Sequence, residues 1–236
     1  MVQGIVVPLH RQKETETTQH CSTFKTFSNM ANKDFNYNGY DYVDLDLPSG
    51  TKWATCNVGA TKPTEYGLYF QWGDTVGYTA DQVGKGEGQK KFALDESDYK
   101  FGACPDYTKY KTPCSTLELE DDAASANMGG DWHIPTPEQM KELLDNTTNA
   151  WTTLDGVNGV KFTSKNGKSI FIPAAGYAWY YLACNRERTG GIWSSTLSTN
   201  CINAGRELEF YDDRDGNAYI EDCDRNFGLS VRGVIG

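Results

Sequence analysis

The sequence predicts an α+β fold with two short helices and a strand-rich, loop-rich C-terminal half. Three observations lead to this class. Apolar residues make up 38% and aromatic residues 13% of the 236 residues, which is typical of a globular chain with a sizeable core. Helical spacing of apolar residues is confined to positions before 147. After them, short alternating runs bounded by glycine and asparagine indicate strands.

The charge balance restricts the classes of partner. Thirty-two acidic against 22 basic residues give a net charge of −10, so phosphate backbones and anionic membrane surfaces are repelled on average. We therefore expect no nucleic-acid partner. No apolar run is long enough for a membrane span, and no signal peptide is recognisable. The sequence thus predicts neither membrane insertion nor Sec export.

The residues that usually carry catalysis or bind metal form no recognisable constellation. Seven cysteines are an odd set without CxxC spacing, so we expect mostly free thiols. The histidines are His10, His20 and His133, and the last, between Trp132 and Ile134, is typical of a core or loop histidine. No nucleophile elbow and no zinc spacing occur. The sequence predicts a protein that is not an enzyme and needs no metal or cofactor.

The N-terminal part predicts a tail followed by a hairpin. Residues 1–38 are rich in Thr, Ser, Gln, Asn and Lys and indicate a partly irregular tail or arm, in which 5–7 are compatible with a strand. We place the folded domain at 39–236. It begins with an alternating run at 42–47 that predicts a half-buried strand, and 51–55 follows as its partner after a Pro-Ser-Gly turn.

The first predicted helix covers residues 64–72. Tyr66, Tyr69 and Phe70 have the i, i+3, i+4 spacing of a helical stripe, and Thr64 is available as the N-cap.

The second predicted helix covers 137–146 and has the strongest local signals in the chain. Thr136 is a preferred N-cap, Pro137 suits the first helical position, and Gln139 completes a capping box. Between the two predicted helices, residues 77–120 carry several glycines and an irregular tyrosine-rich sequence. They predict a long loop with little regular structure.

The rest of the domain predicts strands. An Asn-Gly pair at 166–167 favours a tight turn between two of them. The predicted strands lie at 159–164, 168–173, 191–195, 207–211, 218–221 and 228–234.

Several short stretches together resemble one family. They are LPSGTKWATCNVGA at 47–60, YG at 66–67, FQWG at 70–73, DWHIPT at 131–136, FIPAAGY at 171–177, WSS at 193–195 and GLSVR at 228–232. In this order and spacing they are similar to the Fibrobacter succinogenes major paralogous domain, common in gut Bacteroidetes and their phages. The resemblance implies a C-type-lectin-like fold related to formylglycine-generating enzymes. It also implies that Trp53, Trp72, Trp132 and Trp193 are buried.

Some members of this family are variable proteins of diversity-generating retroelements, and the C-terminal region here is similar to their variable region. Between the motifs, about residues 178–228 hold segments at 180–188, 200–206, 211–214 and 222–227 that follow no hydrophobic period. Aromatic and arginine side chains there have the composition of a binding surface. The expected ligand-binding residues are Tyr180, Tyr181, Cys184, Asn185, Arg186, Arg188, Cys201, Asn203, Arg206, Tyr211, Asp213, Arg214, Tyr219, Asp222, Asp224, Arg225, Asn226 and Phe227.

The resemblance implies a receptor or adhesin that binds a protein or cell-surface ligand, with display on a phage particle or bacterial surface through another component. Two alternatives stay open. One is a non-diversified structural or adhesive module of the same family, and the other is a formylglycine-generating-like enzyme. The enzymes use a close pair of C-terminal cysteines, whereas Cys201 and Cys223 are far apart in this sequence. The motifs of calcium lectins are missing, and 213–217 indicates a polar turn, so calcium-independent binding is expected.

Overall fold

The first strands bring both ends of the folded domain into one sheet. The computed structural model describes residues 35–92, 99–214 and 217–236, which all lie in one compact unit. A four-stranded antiparallel sheet contains β1 (Asn36–Tyr37), β2 (Tyr40–Val43), β3 (Lys52–Ala54) and the last strand, β12 (Val234–Ile235), in that order. The predicted pairing of 42–47 with 51–55 is confirmed only at the start of the first run, where Tyr42 and Val43 lie opposite Ala54 and Trp53. Residues 44–47, predicted as part of the same strand, lie beyond its end at Val43.

Two helices precede the main strands. The first, α1 (Ala123–Met128), begins at Asp122, whose carboxylate accepts a hydrogen bond from the backbone N–H of Ser125 at 2.9 Å. The second, α2 (Pro137–Asn146), has the predicted capping box between Thr136 and Gln139. The prediction of this second helix is confirmed at both ends.

Three further sheets are built from consecutive antiparallel strands, as the strand-rich half predicted. The first has the order β4 (Thr147–Leu154), β5 (Val157–Ser164) and β6 (Ser169–Pro173), and the second consists of β7 (Tyr177–Trp179) and β8 (Leu182–Cys184). The third has the order β11 (Ala218–Asp224), β10 (Ala204–Tyr211) and β9 (Thr189–Leu197). The architecture is therefore α+β with antiparallel sheets.

The segment before β12 ties these sheets together. It pairs in isolated bridges, Gly228 with Ala178, Leu229 with Phe70 and Ser230 with Ile192. The 228–234 run was predicted as one continuous strand, and only its end is one. The reason is that three consecutive residues of the run pair with three different parts of the chain, so they do not form one continuous strand.

The core holds the four tryptophans of the sequence motifs. Trp53, Trp72 and Trp132 are 0% exposed and Trp193 is 1% exposed, so the prediction that all four are buried is confirmed. Arg232 is also fully buried and donates to Asn57 Oδ1, Ala54 O and Phe171 O at 2.9, 2.9 and 3.1 Å. These bonds satisfy a guanidinium that burial would otherwise strongly destabilise.

The predicted helix at 64–72 is wrong. Gly67 has φ +75°, and the following residues Tyr69 and Phe70 make bridges to Tyr78 and Leu229 instead of helical bonds. Extended pairing with distant partners therefore overrides the local apolar spacing. The strand β4, by contrast, was not predicted. Its Thr-rich sequence follows α2 directly with no turn signal.

The described residues of 77–120, which are 77–92 and 99–120, are mostly irregular, as predicted, with one-turn 3-10 helices at Ala80–Gln82 and Leu119–Asp121. At the N-terminal boundary, Asn36 and Tyr37 pair with β2 and so belong to the folded domain, although the sequence placed them in the tail. The strand considered at 5–7 and the rest of the tail before residue 35 lie outside the described residues. No helix in the described ranges is long and apolar enough to cross a membrane.

Candidate functional site

A short hairpin presents apolar side chains to solvent. Strands β7 and β8 pair, with Trp179 opposite Leu182, and Tyr180 takes φ +51° at the turn between them. Reciprocal backbone hydrogen bonds between Tyr180 and Phe92 anchor the turn of the hairpin. Trp179 and Tyr180 stay 38% and 37% exposed, and Leu182 stays 66% exposed. Such a cluster of exposed apolar side chains is typical of a binding site.

The hairpin continues into a chain of ring contacts that we name the aromatic row. Tyr177 and Trp179 each stack on Phe227, with ring centroids 5.8 and 5.9 Å apart. Trp179 then meets Tyr180 edge-on at 4.7 Å, and Tyr180 lies 6.2 Å from Tyr181. Aromatic rings offer a large contact area with little conformational entropy to lose, so this row is well suited to binding.

One end of the aromatic row opens into a depression over β10 and β11 that we name the acidic cleft. Its volume is about 480 Å³. The cleft is lined by Gly176, Tyr177, Ala204, Glu207, Glu209, Tyr211, Asp222, Cys223, Asp224, Phe227 and Leu229. Because Tyr177 and Phe227 belong to both features, the row and the cleft form one continuous surface.

The pleat of β10 explains how the carboxylates reach the cleft. Successive side chains of a strand point to opposite faces. Leu208 and Phe210 are 0% exposed and pack into the core, which leaves Glu207, Glu209 and Tyr211 on the cleft side. On this side the Tyr211 hydroxyl donates a hydrogen bond to Glu209.

Glu207 is the buried group of the cleft. It is 5% exposed, and burial, followed by the nearby charge of Glu209, raises its pKa to about 8. Gly191 on β9 leaves the room for it, since a Cβ there would lie 2.2 Å from Glu207 Oε2. The thiol of Cys223 hydrogen-bonds to Glu207, and burial raises the pKa of that thiol as well. Both groups are thus held mainly protonated at neutral pH.

The expected ligand-binding residues fall into three groups. Seven are exposed: Tyr180, Asn185, Arg186, Arg188, Asp213, Tyr219 and Asp222. Eight are half-buried: Tyr181, Cys184, Cys201, Asn203, Arg206, Tyr211, Asp224 and Phe227. Arg225 and Asn226 are buried, and the side chain of Arg214, in the one-turn helix Asp212–Arg214, is outside the described part of the structure.

The structure brings only part of this set together. Tyr180, Tyr181, Tyr211, Asp222, Asp224 and Phe227 belong to the aromatic row or the acidic cleft. Tyr219 lies opposite Glu209 in the β10–β11 register, and Arg206 pairs with Asp222 at 3.2 Å.

Other members of the set contact different parts of the surface. Arg186 lies over the ring of Tyr66 at 5.9 Å, and Arg188 pairs with Asp212 at 3.4 Å. Asn203 accepts a hydrogen bond from the thiol of Cys104 at 3.1 Å, so it faces the 99–110 loop.

The expectation that Arg225 is exposed is wrong. Its side chain is 0% exposed, and its guanidinium carbon lies 4.1 to 5.6 Å from the ring centroids of Trp72, Tyr99, Phe101 and Tyr107. It donates to the Tyr99 hydroxyl at 2.8 Å and to backbone carbonyls of the same loop. Arginine is suited to such a place because its planar cation stacks on rings while its five N–H groups bond outward.

Asn226 is the second correction. It is 6% exposed, and its backbone carbonyl accepts a hydrogen bond from Gln71 Nε2 at 2.9 Å. The backbone carbonyl of Arg225 likewise accepts from the N–H of Trp72 at 2.8 Å. Both residues therefore fix the segment carrying Phe227 to the core, and neither can touch a ligand.

Sequence reasoning missed Trp179, Tyr177, Glu207 and Glu209 as site residues. The signal for the two glutamates was present in Glu-Leu-Glu-Phe-Tyr at 207–211, where apolar residues alternate with glutamates in a predicted strand. Because Leu208 faces the core, the glutamates on either side of it must both lie on the opposite face of the strand.

A cluster of three carboxylates outside this site could in principle hold a metal ion. Among the described residues, Glu118, Glu120 and Asp121 have oxygens close enough together. However, the ammonium of Lys109 lies 2.6, 2.9 and 2.6 Å from these three groups, so a cation already occupies the position between them. In the loop considered for calcium at 213–217, Asp215 and Gly216 lie outside the described residues.

The thiols and the described histidine also have structural surroundings. The six cysteines in the described ranges are free thiols, as predicted, while Cys21 lies outside them. His133 is half-buried, with Nδ1 3.0 Å from the carbonyl of Asp131. His10 and His20 lie outside the described residues.

Comparison with known proteins gives no significant match to a protein-family model, a curated protein or a solved structure. The features that point to a function are therefore the motifs of the chain and the geometry of the aromatic row and the acidic cleft.

Proposed function

We propose that this chain is a ligand-binding variable protein with a C-type-lectin-like scaffold, whose C-terminal surface is diversified by a retroelement and displayed on a phage particle or bacterial surface. The observation that carries this proposal is the continuity of the aromatic row with the acidic cleft. Each of the four segments expected to vary contributes to it, through Tyr180, Ala204, Tyr211 and Phe227 in chain order.

The division between framework and surface supports the proposal. Trp193 and Val231, which belong to the motifs, are at most 1% exposed, whereas most described residues of the patternless segments reach the surface. Variation at exposed positions has little effect on folding, while variation in a close-packed core does. A protein that must change its ligand and keep its fold needs this separation.

The chemistry of the site favours binding over catalysis. The thiolate is the reactive form of cysteine, and burial raises the pKa of Cys223 well above its ordinary value. Cys223 is therefore a poor nucleophile at neutral pH. Exposed aromatic rings, by contrast, are typical anchors of protein interfaces.

The burial of Arg225 and Asn226 favours a second candidate. Both lie within 222–227, and free variation at buried, hydrogen-bonded positions would destabilise the domain. A non-diversified adhesive module of the same family would use the same aromatic row with a fixed sequence.

Sequencing the gene, its flanking DNA and many independent isolates separates these candidates. For a diversified protein we expect a near-identical template repeat beside a reverse-transcriptase gene. Substitutions should concentrate at adenine-derived codons for residues that reach the surface, such as Tyr180 and Phe227, and should spare Arg225 and Trp193. A locus without a repeat and without such substitutions would overturn the diversified function and leave the adhesive module.

A further inference from the structure

The acidic cleft has the chemistry of a site for a cation. Glu207, Glu209, Asp222 and Asp224 line it together, and Glu221 lies directly opposite Glu207 in the β10–β11 register. When Glu207 ionises, its charge lies opposite that of Glu221, and like charges opposite one another on neighbouring strands destabilise a sheet. Bringing these carboxylates together has a cost that a bound cation would offset.

Glu207 is the most deeply buried of the carboxylates that line the cleft. Asp222 is bonded to Arg206 and to the hydroxyl of Ser198, and Glu209 is bonded to Tyr211. Glu207 forms no ion pair with any described residue, and its polar partner among them is the weakly donating thiol of Cys223. A carboxylate that is 95% buried, lines a cleft and has no cationic partner points to a positively charged ligand.

The aromatic wall of the cleft is also suited to a cation. The rings of Tyr177 and Phe227 stack with their planes 27° apart, and both line the cleft. The faces of aromatic rings attract cations, and planar guanidinium groups stack on them. A volume of about 480 Å³ is within the range of small-ligand sites, so it can admit one long side chain.

Resting on the proposed binding function, we propose that the acidic cleft binds the guanidinium group of an arginine side chain on a protein ligand, with Glu207 as its buried anionic partner. Arginine is favoured over lysine because its planar fork can bond a carboxylate through two N–H groups and stack on a ring at the same time. The rest of the aromatic row then contacts the surface around that arginine.

Binding should also be coupled to a proton. Arginine is always charged, whereas Glu207 ionises only as the pH approaches about 8. The titratable groups around Glu207 are Glu209 on its own strand and Glu221, Asp222 and Cys223 on β11. A cation in the cleft favours the ionised carboxylate, so the affinity should increase from pH 6 to pH 8.

The test uses the full chain and small probes. N-acetylarginine amide and its neutral analogue N-acetylcitrulline amide are titrated by NMR or calorimetry at pH 8, with N-acetyllysine amide as a third probe. We expect the arginine probe to bind at least about tenfold more tightly than citrulline, a difference of about 1.4 kcal/mol, and more tightly than lysine. Equal binding of arginine and citrulline would overturn the proposal, and stronger binding of lysine would overturn the choice of arginine.

Variants identify the partner in the cleft. Glu207→Gln should weaken arginine binding at least fivefold and remove its increase from pH 6 to pH 8. Glu138→Gln, an exposed change on α2, is the matched control and should have no effect. Gln resembles the protonated form of Glu207, so the variant should fold, and Phe227→Leu tests the ring face independently.

Unchanged arginine affinity in Glu207→Gln would contradict the assignment of Glu207. The titrations fail or succeed independently of the gene sequencing. A template repeat with no arginine preference would leave the proposed function intact and remove only this inference.

Discussion

Replacing Arg225 by alanine tests whether the centre of a segment expected to vary is part of the core. The change removes a guanidinium that donates to the Tyr99 hydroxyl at 2.8 Å, to the carbonyls of Tyr110 and Ile202 at 3.1 Å each, and to that of Lys109 at 3.3 Å. It also empties the space between four aromatic rings.

The expected loss of folding stability follows from these contacts. A hydrogen bond to a charged group contributes about 1.5–3 kcal/mol, but the cost of burying the guanidinium offsets part of the sum. Removing one side of a buried charged network typically costs about 3–5 kcal/mol, and we expect a loss of stability in this range for Arg225→Ala. For a domain of about 200 residues this lowers Tm by roughly 10 °C.

Thermal and urea unfolding of Arg225→Ala, Arg225→Lys and Arg188→Ala measure the effect. Arg225→Lys keeps the charge without the planar fork, so its loss should be intermediate. Arg188 is the matched control, because its side chain is 71% exposed and its ion pair with Asp212 is a surface one, worth less than about 1 kcal/mol. If Arg225→Ala unfolded within a degree or two of Arg188→Ala, the buried cage would be refuted and 222–227 would again be a surface segment.

Three further outcomes are expected. The folded-state pKa of Glu207, about 8, lies above its ordinary value of 4.5, so this group favours folding below pH 4.5 and loses that contribution as the pH rises through 8. The free energy of unfolding of Glu207→Gln, measured with urea, should therefore increase relative to wild type by up to about 4 kcal/mol between pH 5 and pH 9. A difference between variant and wild type that does not change with pH would contradict the buried carboxyl. Excess EDTA or calcium should leave Tm unchanged, since the ammonium of Lys109 already occupies the position between the three carboxylates, and a fall of several degrees with EDTA would show a structural metal. The double change Tyr180→Ala and Leu182→Ser should alter stability by less than about 1 kcal/mol, because both side chains are exposed; marked unfolding would place the hairpin in the core.

Some elements could be predicted with their correct bounds because the contacts that define them are local in sequence. The capping box from Thr136 to Gln139 contains its own hydrogen-bond partners, so α2 needs no distant contact to define its start. The turn at Asn166–Gly167 likewise joins β5 and β6 as predicted, since Gly167 adopts φ +81° without steric cost. The large apolar area of the four motif tryptophans similarly favoured burial before any partner was known.

The site could be predicted only in part, because it depends on contacts between residues that are distant in sequence. The sequence alone predicted a binding surface in the C-terminal region and the exposure of its side chains, and Tyr180 is exposed as expected. The acidic cleft exists because β10 and β11 pair in one register, which places Glu221 opposite Glu207. No local pattern specifies that register, because it depends on which residues of two strands bury their apolar faces together.

Arg225 shows most clearly what only the tertiary structure decided. In sequence it stands between Asp224 and Asn226 and reads as a solvated residue. Its burial depends on Tyr99 and Tyr107, more than a hundred positions earlier, whose loop folds back to enclose it. The sequence by itself determined the fold class, the second helix and the buried tryptophans through short-range chemistry. Whether a polar residue faces solvent or the core depended on long-range packing, since a charge is stable inside a protein only where distant groups satisfy it.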